Sequence, residues 1–193
     1  MSLRRSMAGA TMIEVLVTMV IIAFGLLGIA GLQVRLQSSE VEAYQRTQAL
    51  LLLNDLKWRI EANRLQSAKY AETAPLTAPV GAGMVTCPVP AAGTATRAEL
   101  DVAEWCNALQ GAAELTGASR VGAMIGGRGC VEDLTPPAST GGQVLRVTVA
   151  WQGLTPLAAP PEACGTDLYD GPGCESDRCR RTVSTIVRLA NLK

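Results

Sequence analysis

The chain begins with a short basic leader followed by a long apolar run. From Val15 to Leu32 the 18 residues VLVTMVIIAFGLLGIAGL carry no charge, and Thr18 is the only polar side chain among them. That length approaches the span of a bilayer. The leader, Met1 to Gly9, has Arg4 and Arg5 as its only charges, and positive charge before an apolar span keeps that end in the cytoplasm. The pattern predicts a membrane-spanning helix with the rest of the chain outside.

A helical pattern continues beyond the apolar run. Residues 33–64 contain neither Gly nor Pro and are rich in good helix formers. One apolar face follows helical spacing, and polar side chains interleave as its solvated side. The apolar face comprises Ala49, Leu52, Leu53, Leu56 and Ile60, and the polar side comprises Arg46, Asp55, Arg59 and Arg64. We expect one helix over residues 10–64, whose second half packs on a domain.

The remaining residues predict a small α+β domain. Residues 65–96 contain four prolines, which favour an extended connection. The next residues, Thr96-Arg97-Ala98-Glu99, have the spacing of a capping box and predict a helix at about 97–110. Alternating apolar positions predict strands at 145–151 and 183–189, and segments 121–125 and 130–134 flank a Gly-rich turn like a hairpin. We expect a four-stranded antiparallel sheet packed on the long helix.

Six cysteines lie in this predicted exported domain. An oxidising compartment favours disulfides, and the chain has neither a His nor a C-x-x-C pair for zinc. Fifteen full pairings are possible. At least one bridge is expected among Cys164, Cys174 and Cys179, and Cys106 and Cys130 become partners if the short helix lies on the hairpin. The candidates are Cys87, Cys106, Cys130, Cys164, Cys174 and Cys179.

Composition argues against most enzyme chemistry. The 17 Lys plus Arg balance 17 Asp plus Glu, and the absence of His excludes Ser-His-Asp, Cys-His and His-metal sites. The Gly-rich stretch 122–129 lacks the Lys-Ser/Thr of a phosphate loop. We expect no catalytic residues and no cofactor.

Two charged clusters near the C-terminus are candidate binding sites. The acidic residues match no EF-hand spacing, so we expect a solvated loop and no metal; they are Asp167, Asp170, Glu175 and Asp177. The basic residues are too few for a nucleic-acid surface, so no nucleic-acid partner is expected; they are Arg178, Arg180 and Arg181.

Glu14 distinguishes the apolar segment from two simpler kinds of signal. A cleaved secretory signal could end at Gly28-Ile29-Ala30, but its apolar core is normally shorter. A plain membrane anchor explains the length but not a carboxylate one turn inside it, which is costly in lipid without a partner.

The order of basic leader, Gly9, Ala10, Glu14 and apolar helix resembles the class III signal of type IV prepilins and type II pseudopilins. The resemblance implies that a prepilin peptidase cuts between Gly9 and Ala10 and methylates Ala10, and that Glu14 becomes the carboxylate used in assembly. The α-amino group created by that cleavage would lie four residues from Glu14, within reach of its own or a neighbouring carboxylate. It divides the chain into leader 1–9, transmembrane and assembly half 10–32, amphipathic helix half 33–64 and exported pilin domain 65–193.

Three windows, MIEVLVTMVIIAFGLLGIAGLQ, ELDVAEWCNAL and RVTVAWQG, resemble the PilV family of type IV pilus minor pilins. The resemblance implies a non-enzymatic subunit with a pilin fold, which primes pilus assembly and sits near the tip, supporting twitching motility and adhesion. Implied partners are the peptidase, other minor pilins, the major pilin and a PilY-type tip adhesin. The implied location is the inner membrane, with the domain in the periplasm, and then the cell-surface pilus. A type II secretion minor pseudopilin, or a receptor pilin for DNA uptake or attachment, are the alternatives.

Overall fold

The computed structural model describes residues 9, 11–83, 87–111, 115–116, 119–120, 124–137 and 142–191. The chain divides into two compact units, Met1–Val41 and Glu42–Lys193. The boundary falls within the first helix, so each unit is described separately below.

The predicted long helix is present as α1, Met12–Ala62. In the second unit its buried side chains recur at helical spacing, with Leu52 partly buried against the same core. This confirms the apolar face predicted from the sequence. The buried positions are Gln45, Ala49, Leu53, Leu56 and Ile60.

The connection after α1 is more ordered than predicted. A 3₁₀ turn at Arg64–Gln66 leads into α2, Ser67–Thr73, and a two-residue strand β1 follows at Val80–Gly81. The prediction of an extended connection is therefore wrong for its first part. The prolines begin only at Pro75, so the preceding residues are free to form a helix that buries Tyr70 completely.

Helix α3, Arg97–Leu109, confirms the predicted short helix. Thr96 Oγ1 accepts from the N–H of Glu99 at 3.3 Å, and Glu99 Oε2 accepts from the N–H of Thr96 at 2.7 Å. This reciprocal pair is the predicted capping box. Trp105 on α3 is buried and donates through Nε1 to the carbonyl of Leu52 on α1, at 2.9 Å.

A four-stranded antiparallel sheet confirms the predicted α+β class. Its strands besides β1 are β4 Arg128–Asp133, β5 Gln143–Gln152 and β6 Arg180–Leu189, in the order β1-β4-β5-β6. A separate two-stranded ladder joins β2, Leu115–Thr116, to β3, Ser119–Arg120. Residues 121–123 of the predicted segment 121–125 lie outside the described residues, and the described strands that pair with β4 are β1 and β5.

The two faces of the sheet have different coverings. Leu145, Val147 and Val149 of β5 join the core formed with the helices, while Cys130 and Ala150 belong to a second cluster. Alternate residues of a strand point to opposite faces, which explains the division.

Three disulfides close the second unit: Cys87–Cys106, Cys130–Cys164 and Cys174–Cys179. The last confirms a bridge within the C-terminal cysteine cluster. The expected Cys106–Cys130 pairing is wrong, because Cys106 lies in the helix-side core whereas Cys130 lies in the cluster on the other face. Cys164 reaches Cys130 from that other face.

Candidate functional site

The first candidate site is the start of α1. Thr11 precedes the helix, and its carbonyl oxygen and Oγ1 both accept from the N–H of Glu14, at 3.1 and 3.3 Å. Thr11 is therefore the N-cap residue. The spacing Thr-x-x-Glu is a sequence signal for such a cap, and the sequence reasoning above missed it.

The Glu14 side chain is exposed, and no side-chain hydrogen bond or ion pair from another described residue reaches its carboxylate. An uncharged run of 20 residues, Val15–Val34, follows it directly. The described residues therefore place one unpartnered carboxylate at the edge of an entirely uncharged helical segment. The predicted cleavage position cannot be placed in the same way, because Met1–Ala8 and Ala10 lie outside the described residues.

The apolar segment is exposed around its whole circumference. Among the described residues, α1 is the one helix long and apolar enough to cross a membrane, with a mean hydropathy of 2.7 over an 18-residue window of which none is buried. Leu16, Phe24 and Leu27 are each more than 60% exposed. A helix that is apolar on every side needs an apolar environment, either lipid or other helices.

Three glycines interrupt this segment, at Gly25, Gly28 and Gly31. A Cβ added at any of them meets nothing within 4 Å. Packing within this chain therefore does not require them. Small residues in an apolar helix permit close approach of another helix.

A second constellation, in the folded unit, surrounds the buried carboxylate of Asp101. Arg59 Nη1 and Arg97 Nη2 lie 3.1 and 2.9 Å from Asp101 Oδ1, and Glu104 shares Arg59. Arg59 was predicted on the solvated side of α1, and this prediction is wrong: its side chain turns toward α3 and is largely covered. Burial alone would lower the pKa of Arg59, but hydrogen bonds to Glu104, Asp55 and Asp101 outweigh it and raise the pKa.

The acidic loop is less solvated than predicted. The side chain of Asp177 is buried and pairs with Arg180 at 3.1 Å, and its backbone N–H donates to Asp170 Oδ1 at 2.7 Å. Asp177 Oδ1 in turn accepts from the N–H of Asp167 at 3.0 Å. These carboxylates are engaged in holding the loop, and no group of three or more Cys, Asp or Glu among the described residues could hold a metal ion.

The basic cluster is not a surface patch. Arg180 is buried and donates to the carbonyls of Pro160, Glu162 and Cys164, while Arg181 donates to the carbonyl of Thr155. Of the three arginines, Arg178 alone is exposed. A stacking and phosphate-binding surface for nucleic acid needs several exposed cations, which this cluster does not offer.

The site residues thus separate into an exposed apolar helix with one free carboxylate and a folded unit in which Arg59 and Arg180 pair with the buried carboxylates of Asp101 and Asp177. The first arrangement can bind lipid or other apolar helices, and the second maintains a fold. No family model, no curated protein and no solved structure matches the chain.

Proposed function

We propose that this chain is a minor pilin: a non-enzymatic structural subunit, cut after Gly9, held in the inner membrane by α1 and then inserted into a type IV pilus near its tip. The observation that carries the proposal is the free Glu14 carboxylate at the start of an uncharged, fully exposed apolar helix. A carboxylate in that position is costly in lipid unless a cation neutralises it.

Cleavage after Gly9 supplies such a cation, the α-amino group of Ala10. Lateral packing of several such helices would bury their apolar sides and pair each Glu14 with a neighbouring amino terminus. A salt bridge in an apolar bundle has a defined axial position, so it would also set the register between subunits. The open space around Gly25, Gly28 and Gly31 is compatible with that close packing.

The folded unit supports an exported location. All six cysteines are paired in three disulfides, and disulfides persist outside the reducing cytoplasm. The positive leader before the apolar helix also favours an orientation with the leader in the cytoplasm and the disulfide-bonded unit outside it. Subunit contact, rather than a reaction, is the activity that this arrangement supports.

The test is the intact mass of the protein made in cells with and without a prepilin peptidase. We expect a mature chain beginning at Ala10 that requires the peptidase. Gly9→Val should block processing, whereas Gly25→Val, placed where an added side chain has open space, should leave it unchanged. An unprocessed wild-type chain, or cleavage after Ala30, would overturn the proposal.

A further inference from the structure

The loop that follows β5 is exposed and uncharged. Residues 153–161, GLTPLAAPP, carry no charged side chain, and residues 154–159 are all exposed. The side chains of Leu154 and Leu157 belong to residues that are 44% and 54% exposed. Exposed apolar residues that lie together mark a contact with another molecule or with a membrane. The 154–159 loop is therefore a candidate contact surface.

Hydrogen bonds hold the 154–159 loop beside the start of α1 in the second unit. The N–H of Leu154 donates to Glu42 Oε1 at 3.0 Å, and Glu42 is the first residue of that unit. Arg181 Nη2 donates to the carbonyl of Thr155 at 2.6 Å and lies 3.5 Å from the same oxygen of Glu42. The loop is thus at the end of the second unit where α1 enters it.

Most backbone N–H groups of this loop are either absent or already bonded. Three of the nine residues 153–161 are prolines, which have no N–H. The N–H groups of Gly153 and Leu157 donate to backbone carbonyls, both at 2.7 Å, and that of Leu154 donates to Glu42. Three of the nine residues remain with an N–H that no described residue accepts. A backbone with few free donors is less costly to move from water to the boundary of a bilayer.

The length of chain before Glu42 places this loop close to the bilayer that α1 would span. The uncharged run Val15–Val34 has 20 residues, and a helix of that length rises about 30 Å, the thickness of the hydrocarbon core. Eight further residues lead to Glu42, a helical rise of about 12 Å. The headgroup layer occupies about 5–8 Å of that distance. The exposed loop can bridge the remainder.

We propose that the 154–159 loop lies in the headgroup layer of the membrane that α1 spans, with Leu154 and Leu157 as its apolar contacts. Lipid is the partner that this surface fits, because the loop is uncharged and most of its backbone donors are bonded. In addition, α1, the one helix among the described residues that is long and apolar enough to cross a membrane, enters the unit beside the loop. The contact holds the folded unit against the membrane surface before assembly. This inference rests on the part of the proposed function that places α1 in a membrane.

The test places a fluorescent label at position 157 of the full chain, in vesicles of phosphatidylethanolamine and phosphatidylglycerol that contain a lipid with a nitroxide near its headgroup. The six native cysteines are all paired, so Leu157→Cys supplies the reactive thiol. Leu65→Cys is the matched control, because Leu65 is also exposed and follows α1, which rises about 30 Å from Glu42 to its end at Ala62. Quenching by the nitroxide should be at least about threefold stronger at position 157 than at position 65, since interfacial segments are buried to the headgroup boundary.

A label in the apolar segment distinguishes this inference from the proposed function. Phe24→Cys should be quenched by a nitroxide at the end of the acyl chain, and absence of that quenching would overturn both proposals. Equal quenching at positions 157 and 65, with Phe24→Cys quenched, would overturn this inference alone. Quenching at position 157 that requires a high ratio of protein to lipid would show contact with another subunit and would also overturn it.

A charge placed in the loop supplies a second arm. Ala158→Asp in the Leu157→Cys background should weaken the quenching, because a carboxylate is costly at the boundary of the hydrocarbon core. Ala158→Asn, which has the same shape without the charge, should weaken it less. Equal quenching of these two variants and of the parent Leu157→Cys chain would contradict insertion of the loop.

Discussion

The phenol of Tyr70 donates a 2.6 Å hydrogen bond to Oδ2 of Asp101, 31 residues further along the chain. Asp101 is almost fully buried, and Arg59 and Arg97 bind its other oxygen. One carboxylate on α3 thus joins α1 and α2. Burial and the bond to Asp101 both raise the pKa of Tyr70, so the phenol remains a donor at neutral pH.

Tyr70→Phe should lower the free energy of unfolding by about 1.5–3 kcal/mol, the range for a hydrogen bond to a charged group. The measurement is urea unfolding in detergent, followed by tryptophan fluorescence. Tyr44→Phe, at an exposed position of the same chain, is the matched control and should change stability by less than about 0.5 kcal/mol. Equal effects of the two substitutions would contradict the role assigned to Tyr70.

Gly129→Ala should destabilise the folded unit through a direct clash. A Cβ at this position would lie 2.1 Å from Cη2 of Trp105 and 2.8 Å from Cδ1 of Leu109. Overpacking of a core typically costs about 1–3 kcal/mol. Gly171→Ala, where an added Cβ meets nothing within 4 Å, should be close to neutral. The comparison is made by thermal unfolding, and a neutral Gly129→Ala would show that α3 does not approach β4 this closely.

The stability of the second unit should fall in acid partly because of Glu162. Burial alone would raise the pKa of this carboxyl, but hydrogen bonds from Thr182 and Ser184, with attraction to Arg146, outweigh it and lower the pKa below its ordinary 4.5. A depressed pKa stabilises the fold above pH 4.5, and that contribution is lost as pH falls through the folded-state pKa.

Glu162→Gln should therefore be less stable than the wild type at pH 7 and lose less stability on acidification. Unfolding midpoints measured from pH 7 to pH 3 test this expectation. Glu40→Gln, a change at an exposed position of α1, should follow the wild-type pH profile. If the unfolding midpoints of the wild type and of Glu162→Gln fell in parallel between pH 7 and pH 3, Glu162 would not contribute to the acid sensitivity of the fold.

Glu14→Gln should leave membrane insertion intact and reduce incorporation into the assembled fibre at least about tenfold. The amide cannot neutralise an amino terminus, yet it is less costly in lipid than a carboxylate. Immunodetection in sheared pili against the membrane fraction separates the two effects. Glu40→Gln, which removes another carboxylate of α1, is the control and should be incorporated normally. Normal incorporation of Glu14→Gln would contradict the role of Glu14 in assembly.

The sequence predicts helices and strands whose apolar residues recur at a regular spacing, but it does not predict contacts between residues far apart in the chain. The helical spacing through Leu53, Leu56 and Ile60 located α1 correctly, and the Thr96–Glu99 spacing located α3. Arg59 was placed on the wrong side because it lies at the edge of the apolar face, and its position depends on Asp101, which is 42 residues away. Helix α2 was missed because the prolines of the following segment dominated the pattern.

The arginine cluster and the disulfides show the same limit. Three arginines close together, Arg178, Arg180 and Arg181, predict a patch of positive charge on the surface. Arg180 is instead buried by carbonyl groups that lie 16 to 20 residues earlier in the chain, and the local sequence does not show these contacts. Cys106 and Cys130 were paired because two elements were expected to face each other. Strand alternation turns Cys130 to the opposite face of the sheet, and only the observed register shows this.

Helix α1 contains no cysteine, so none of the three disulfides fastens it to the rest of the second unit. If tension is applied through the N-terminal end, the load passes to noncovalent contacts such as Arg59 with Asp101 and Trp105 with the Leu52 carbonyl. The disulfide-closed segments cannot extend under that load. The mechanical limit of the subunit is therefore set by the detachment of α1 and not by the strength of its covalent bridges.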